Sequence, residues 1–527
     1  MKVPCDEALM RSGEAEAPRK ADAKLWVLTA TILGSSLAFI DGTVVNVALP
    51  AVQANFHATV VDVQWVVESY GLFLGALILV GGSLGDLFGR RLIFVMGVAL
   101  FALASAFCGA APNIQLLIAA RSIQGVGAAL LVPGSLAIIS SSFDEKSRGQ
   151  AIGTWSGFTA ITTAIGPVLG GWMVQHASWR WVFFINLPLA AAVIAISLWR
   201  IPESRGADAG RIDWAGALLA TVGLGGLIVG FIESINLGWG NPVVFGSLLV
   251  GCGCVVAFAF VEDRVNSPML PLALFKSRSF SGANLLTLFL YAAIGIFFFL
   301  FPMNLIQVQG YSSTAAGAAV LPLILLMFFL SRWSGGLVAH YGPQRPLIIG
   351  PVIAALGFGL FAVPSVGDSY WKACFPAIIV LGFGMAVTVA PLTTSVMNSV
   401  NEDRVGAASG INNAVARVAG VLAIAVFGIV MVKAFGLRLD HNVAQLQLPD
   451  GIVRQIHAGE TKLAGLPVPA GVDDGAKAAL TGAIGNAFVY GYRIVMLLCA
   501  VLGLASALAA WLIIPRNIGG EPAKQKW

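Results

Sequence analysis

The sequence predicts an all-α polytopic membrane protein: two six-helix bundles with two further helices inserted between them, fourteen transmembrane helices in total. Three observations carry that expectation. The 527 residues are 57% hydrophobic and only 11% charged, against roughly 25% charged in a typical soluble domain. Apolar runs of about 20 residues, the length that spans a bilayer as a helix, recur along nearly the whole chain. A sequence repeat relates the first six of these runs to the last six. The runs are continuous, which argues against barrel strands that alternate over about ten residues. The same composition excludes disorder and a disulfide scaffold.

The runs lie near 25–48, 62–86, 92–111, 113–141, 149–174, 179–200, 212–235, 242–262, 280–306, 314–341, 346–364, 370–398, 405–432 and 486–514. Residues 1–24 mix acids and bases without a short apolar core and cleavage site, so they read as a cytoplasmic N-terminal tail before a signal-anchor helix. The first bundle is then 25–200, the linker with two additional helices 201–279, and the second bundle 280–514, followed by a cytoplasmic tail at 515–527. Five of the six cysteines (Cys108, Cys252, Cys254, Cys374 and Cys499, but not Cys5) lie in apolar runs and act as small hydrophobes. No metal-ligand spacing appears.

Basic residues orient the helices. With the amino terminus inside, the inner side holds Lys2, Arg11, Arg19, Lys20, Lys24, Arg90, Arg91, Lys146, Arg148, Arg200, Arg205 and Arg211. It also holds Arg264, Lys276, Arg278, Arg345, Arg404, Arg516, Lys524 and Lys526. The short outer loops hold Arg180 and Lys372 alone. This asymmetry places both termini in the cytoplasm and the chain in the cytoplasmic (inner) membrane. The long extracytoplasmic loop 433–485 carries five basic residues, but long loops translocate largely regardless of charge. It is expected to form a small outer cap or hairpin, with His441 and His457 as solvated loop residues.

The repeat is legible in the glycines. Gly81–Arg91 has a weaker counterpart in Gly335–Arg345, with Gly89 and Gly342 offset by 253. Gly125, Gly127 and Pro133 recur as Gly382, Gly384 and Pro391. Gly149 and Gly153 recur as Gly406 and Gly410, offset by 257. Two parallel six-helix halves around a midplane site is a transporter architecture.

Charges inside spans are costly and by default functional. Asp41 in helix 1, Glu68 in helix 2 and Arg121 in helix 4 all fall roughly 9–12 Å below the outer boundary at 1.5 Å per residue. A carboxylate and a guanidinium at matched depth neutralise one another, and protonating the acid releases the pair. That is the requirement for coupling to a proton. Asp41 and Arg121 are the first candidates, Glu68 the third, against the alternatives of a static ion pair and an outer vestibule residue.

The segment Asp41-Gly-Thr-Val-Val-Asn46-Val-Ala-Leu-Pro50 resembles the helix-1 motif of drug:proton antiporters in the major facilitator superfamily. Gly82-Ser-Leu-Gly85-Asp86-Leu-Phe-Gly89-Arg90-Arg91 resembles that superfamily's signature loop between helices 2 and 3. Arg121-Ser-Ile-Gln124-Gly125-Val-Gly127 is similar to the helix-4 motif linked to proton transfer. Gly166-Pro167-Val-Leu-Gly170-Gly171, following Gly157, is similar to the helix-5 antiporter motif. The resemblance spans nearly the whole chain and points to the fourteen-helix branch. It implies an inner gate at Gly82, Gly85, Asp86, Gly89, Arg90 and Arg91, and an antiporter interface at Gly157, Gly166, Pro167, Gly170 and Gly171. The second-half loop departs from the pattern, with Ala339 where Asp86 sits.

The expected function is a proton-coupled exporter, a drug:proton antiporter extruding lipophilic, cationic compounds by alternating access. It needs no cofactor beyond the proton gradient, and no enzyme constellation appears. Candidate substrate contacts are Asn46, Trp65, Tyr70, Gln124, Trp155, Phe158, Asn412, Asn413 and Arg417, where aromatic rings and acids would hold a cation. Arg417, near mid-span in a half with no intramembrane acid, leaves room for anionic or zwitterionic substrates. The alternatives are a permease or exporter for one endogenous metabolite, lipid or organic anion, and an uptake symporter, which the helix-5 motif argues against. Partners are the substrate, protons and the bilayer, with no nucleic acid; whether the outer loop recruits a periplasmic adaptor is not written in the sequence.

Overall fold

Long apolar runs punctuated by caps become helices here because a bilayer leaves no other partner for backbone N–H and C=O groups. The computed structural model describes residues 6–143, 145–206, 212–265, 268–400, 405–446, 448–469 and 472–516. Of the orienting basic residues, Lys2, Arg211, Arg404, Lys524 and Lys526 lie outside these, as do the side chains of Arg11, Arg19, Lys20, Lys146 and Arg148.

The first bundle comprises α1 (Asp6–Phe56), α2 (Val60–Phe88), α3 (Arg90–Ala110), α4 (Ile114–Ser142), α5 (Glu145–His176) and α6 (Asn186–Arg200), the last preceded by the single turn Trp181–Phe184. Two helices follow, α7 (Trp214–Leu237) and α8 (Pro242–Arg264). The second bundle comprises α9 (Arg278–Met303), α10 (Leu321–Tyr341, preceded by Ser313–Ala318), α11 (Gln344–Leu360), α12 (Tyr370–Met397), α13 (Val405–Ala444) and α14 (Asp474–Ile513). Caps set several starts: Thr59 and Asp62 form a reciprocal capping box on α2, and Asn113, Asp213, Asn241, Ser277 and Asp473 cap α4, α7, α8, α9 and α14.

Thirteen helices among the described residues are long and apolar enough to cross a membrane; the apolar α11 is a shorter fourteenth, at 17 residues. At 1.5 Å per residue it spans about 25 Å, near the lower limit for a bilayer crossing. The expected spans are therefore all present as helices, but their ends differ. Helix α13 runs to Ala444 and α14 starts at Asp474, so the segment expected as a loop over 433–485 is helical at both ends. Ala, Leu, Lys and Arg in these flanks favour helix and no proline interrupts them.

What lies between α13 and α14 is an ordered cap. A short helix, Asp450–Ala458, leads into a tight turn at Glu460–Gly465, and Ile456, Leu463 and Leu466 are buried. Gln53 of α1 donates to the Lys462 carbonyl at 3.0 Å, and Gln307, in the turn after α9, donates to Gln53 at 2.8 Å. The cap thus touches both bundles at the outer side, the side poor in basic residues.

The repeat has a structural counterpart at the inner ends. Gly89 (φ 127°) and Gly342 (φ 73°) both adopt backbone that favours glycine, and each receives a returning strap of chain. The Glu203 carboxylate lies against Gly89, and the Arg516 carbonyl lies against Gly342.

Candidate functional site

The two bundles meet at two seams. Along the first, α2 lies on α13: Gly71 faces Val421, Gly75 faces Arg417 and Val418, and Gly428 faces Gln64, whose amide donates to the Ile424 carbonyl at 3.3 Å. Along the second, α5 meets the short helix before α10. The Ser313 backbone lies on Gly171, and the Pro167 carbonyl lies on Gly317, both too close for any Cβ. Thr314 donates to Gln175 at 2.6 Å. This second contact belongs to the outer half of α5. Toward the inner half, a Cβ at Gly153 or Gly157 would meet nothing within 4 Å. The bundles are therefore closed at the outer side.

Within the first bundle, α1, α2, α4 and α6 converge on one buried polar cluster. Close approach is made possible by glycine: Gly125 lets the Tyr70 carbonyl of α2 rest on α4, and Gly127 does the same for Phe101 of α3. Arg121 is 1% exposed and Asp41 is 0% exposed. The Arg121 guanidinium donates to Asp41 at 2.5 Å, to Gln124 at 2.7 Å and to the Val66 carbonyl at 3.1 Å. Gln124 in turn donates to Asp41 at 2.9 Å. Asn186 reaches Asp41 at 3.5 Å and Ser105 at 3.0 Å, and Ser105 donates to the Phe183 carbonyl. The guanidinium also lies over the Tyr70 ring, 4.2 Å from its centroid, and 5.8 Å from that of Phe183.

Both Asp41 oxygens thus accept charged or amide donors, Oδ2 from the Arg121 guanidinium and Oδ1 from the Gln124 and Asn186 amides. Adding a proton would remove its hold on Arg121. Asn186 is a member that sequence reasoning missed; its one signal is a lone amide opening the apolar run of α6.

Several sequence candidates take other places. Gln124 and Tyr70, expected at the substrate, are engaged with Asp41 and Arg121. Trp65 points out of the bundle and donates to Glu233 of α7 at 2.9 Å. Glu68 is 0% exposed, and neither carboxylate oxygen has a hydrogen-bond partner among the described residues. Helical spacing puts it on the face of Gln64, Gly71 and Gly75, toward α13 and away from the Asp41 pair. Asn412 donates to Asn284 and Thr287 of α9, which is packing inside the second bundle. Asn413 is exposed and bonds its own helix, as does Asn46. Phe158 is 50% exposed, on the same stripe of α5 as Ile161 and Ile165. Trp155 donates to Ser35 and packs edge-on against Phe39, with centroids 6.5 Å apart. Arg417 is half-buried, 5.8 Å from the Phe39 centroid.

The motif glycines divide their work. Gly166 and Gly170 press on Thr43 and Val44 of α1, while Pro167 and Gly171 face the second bundle. Gly157 touches neither. At the inner end, Asp86 pairs with Arg90 at 2.8 Å. Arg91 donates to the Ile201 carbonyl at 3.0 Å, and its backbone N–H and that of Leu92 donate to the Glu203 carboxylate. Gly206 donates to the Asp86 carbonyl. Every one of these contacts stays within the first bundle or joins it to the start of the linker that follows, so the loop does not bridge the halves among the described residues. Gly82 and Gly85 sit on ordinary contacts with Pro133 and Arg90. Glu203, the acid capping the start of α3, is a second residue the sequence reading did not select.

Two six-helix bundles closed on one side, with a buried charge pair in one of them, are the architecture of a membrane transporter. The chain belongs to the Major Facilitator Superfamily, whose signature matches residues 31–424. It is 32% identical over 507 residues to "Multidrug resistance protein Stp" of Mycobacterium tuberculosis (strain CDC 1551 / Oshkosh), covering 94% of this chain and 93% of that one. It is 31% identical over 506 residues to the "Tetracenomycin C resistance and export protein" of Streptomyces glaucescens, covering 95% and 94%. Among solved structures, a bacterial homolog of the human lysosomal transporter Spinster, described as inward-facing and unoccupied, superposes with a TM-score of 0.67. The identity there is 17%, over 95% of this chain and 99% of that one, which is a likeness of fold.

Proposed function

We propose that this chain is a proton-coupled secondary exporter of the cytoplasmic membrane, a drug:proton antiporter with both termini cytoplasmic. It extrudes lipophilic, antibiotic-like small molecules by alternating access. The single observation that carries the proton is the cluster of Asp41, Arg121 and Gln124: a carboxylate sealed from water, held by one guanidinium and two amides. Protonation in the outward-open state and release to the cytoplasm in the inward-open state would switch this pair between bound and free. The names of the relatives, resistance and export proteins, support the outward direction. Pro167, Gly171 and Gly317 would form the outer seal, and Asp86, Arg90 and Arg91 the inner gate when the bundles rock the other way. The proton gradient is the energy source and no cofactor is required.

The sequence-based expectation of cationic substrates rested on Asp41 and Glu68. Asp41 is neutralised by Arg121, and Glu68 has no exposure, so neither presents a free negative charge in this conformation.

The test is uptake of a fluorescent resistance substrate into inverted membrane vesicles with an acidic lumen. Accumulation should collapse on adding a protonophore. Accumulation that persists without any proton gradient would overturn the coupling.

A further inference from the structure

At the seam between the bundles, one cation has no ion-pair partner among the described residues. Arg417 sits on α13 with its Cβ against Gly75 of α2, at the seam of the two halves. Its side chain is half-buried and makes no hydrogen bond or ion pair among the described residues, and its guanidinium lies 5.8 Å from the centroid of the Phe39 ring. The Tyr291 backbone of α9 lies against Gly420 of α13, three residues outward of Arg417. No acid is near to answer it: the second bundle has no Asp or Glu between Arg278 and Ser365, nor between Gly406 and Leu439. In the first bundle, Asp41 is committed to Arg121, and Glu68, buried on the same face of α2, lies seven residues, about 10 Å, along the helix from the Gly75 contact.

A guanidinium in a membrane span without a partner is expensive, and it is retained where it faces water or a ligand. The surroundings specify what that ligand offers. Phe39 and Trp155 meet edge to face and are both partly exposed, forming an aromatic corner beside the arginine. The exposed Asn413, one helical turn inward from Arg417, adds an amide. A planar guanidinium pairs bidentately with carboxylate-like groups, and flat rings pack well on aromatic walls.

We propose that Arg417 is the charged anchor of the substrate site, and that the preferred substrates are planar aromatic compounds bearing an anionic group such as a carboxylate or phenolate. The ring system rests in the corner of Phe39 and Trp155, and the anion lies on the guanidinium. This rests on the exporter reading above and gives it a substrate class. It also assigns the two arginines separate tasks: Arg121 serves the coupling acid, and Arg417 serves the cargo.

The test uses three matched probes with the purified full chain in lipid nanodiscs: 1-pyrenecarboxylate, 1-pyrenemethanol and 1-pyrenemethylammonium, with binding read from tryptophan-to-pyrene energy transfer. The carboxylate should bind at least tenfold more tightly than the neutral alcohol, which is about 1.4 kcal/mol, and the ammonium should bind more weakly than either. Arg417→Gln should bring the carboxylate down to the level of the alcohol while leaving the alcohol unchanged; Arg417→Lys should keep most of the preference. If the ammonium binds best in the wild type, or if Arg417→Gln leaves the carboxylate affinity intact, the proposal is overturned. Should Arg417→Gln fail to fold, the wild-type ranking and the Arg417→Lys variant still decide. Binding needs no gradient, so these results stand apart from the coupling test: Asp41→Asn is expected to retain carboxylate binding while losing uphill export.

Discussion

The outer seal makes a quantitative prediction. At Gly317 a Cβ would lie well inside the van der Waals shell of the Pro167 carbonyl, and real Cβ atoms essentially never come within 3.0 Å of such a neighbour. The obstacle is helix backbone, which cannot swing aside as a side chain would. Gly317→Val therefore forces α5 and the start of α10 apart by about an ångström. Overpacking of this kind costs about 1–3 kcal/mol. It is felt only when the bundles are closed at the outer side, so it shifts the conformational equilibrium toward outward-open by roughly 5- to 150-fold. Spin labels at Ala177 and Ser312, on either side of the seam, would report it by double electron–electron resonance as a growing long-distance population. Gly171→Val should behave alike, because Ser313 presses on it in the same way. Gly157→Ala is the control: its Cβ would enter open space, and replacing a helical glycine gains up to about 1 kcal/mol. An unchanged distance distribution in Gly317→Val, or a shift in Gly157→Ala as large as that in Gly317→Val, would refute the reasoning.

Other consequences follow from single contacts. Arg121→Met leaves the Asp41 carboxylate buried without its cation and should cost about 3–5 kcal/mol, read as a fall in melting temperature that the double variant with Asp41→Asn largely restores. Glu203→Gln weakens the anion at the start of α3; with a third of that side chain exposed, the loss should be no more than about 1 kcal/mol, measured by thermal melting at low salt. Glu460, in the outer cap, has its carboxyl pushed above the usual range by burial and then by Asp440, with His457 opposing. The folded cap therefore holds that proton more tightly than the unfolded chain, so its contribution is fully present below the ordinary glutamate range and is lost as pH rises through the raised value. Hydrogen exchange of residues 450–466 should accelerate over that window, and Glu460→Gln should abolish the acceleration.

The sequence made the helices legible because a bilayer demands about 20 apolar residues for each crossing and punishes every charge inside. Those two constraints are local, so spans could be read from runs, and Asp41 and Arg121 could be matched by depth alone. What depth cannot supply is the direction in which a side chain points. Glu68 has nearly the same depth as Asp41, yet it lies on the α13 face of α2. Trp65 looked like a cavity residue and bonds instead to Glu233 on an inserted helix. Gln124 and Tyr70 were placed at the substrate but serve Arg121, because rotation about α4 and α2 decides that and the run of apolar residues around them hides the phase. The outer cap was expected from 433–485, but its contacts were not legible: it is tied down through Gln53, 409 residues from Lys462 in the chain, which Gln307 braces. Asn186 and Glu203 were likewise polar residues whose partners appear only in three dimensions.

The claim at the centre of this account is that the Asp41 carboxylate, released from Arg121 by a proton, couples the gradient to export. The most direct measurement compares wild type and Asp41→Asn in inverted vesicles with an acidic lumen, following both uphill accumulation and downhill equilibration of the same substrate. Asp41→Asn should lose gradient-driven accumulation while still equilibrating substrate across the membrane. Undiminished uphill accumulation in Asp41→Asn would contradict it.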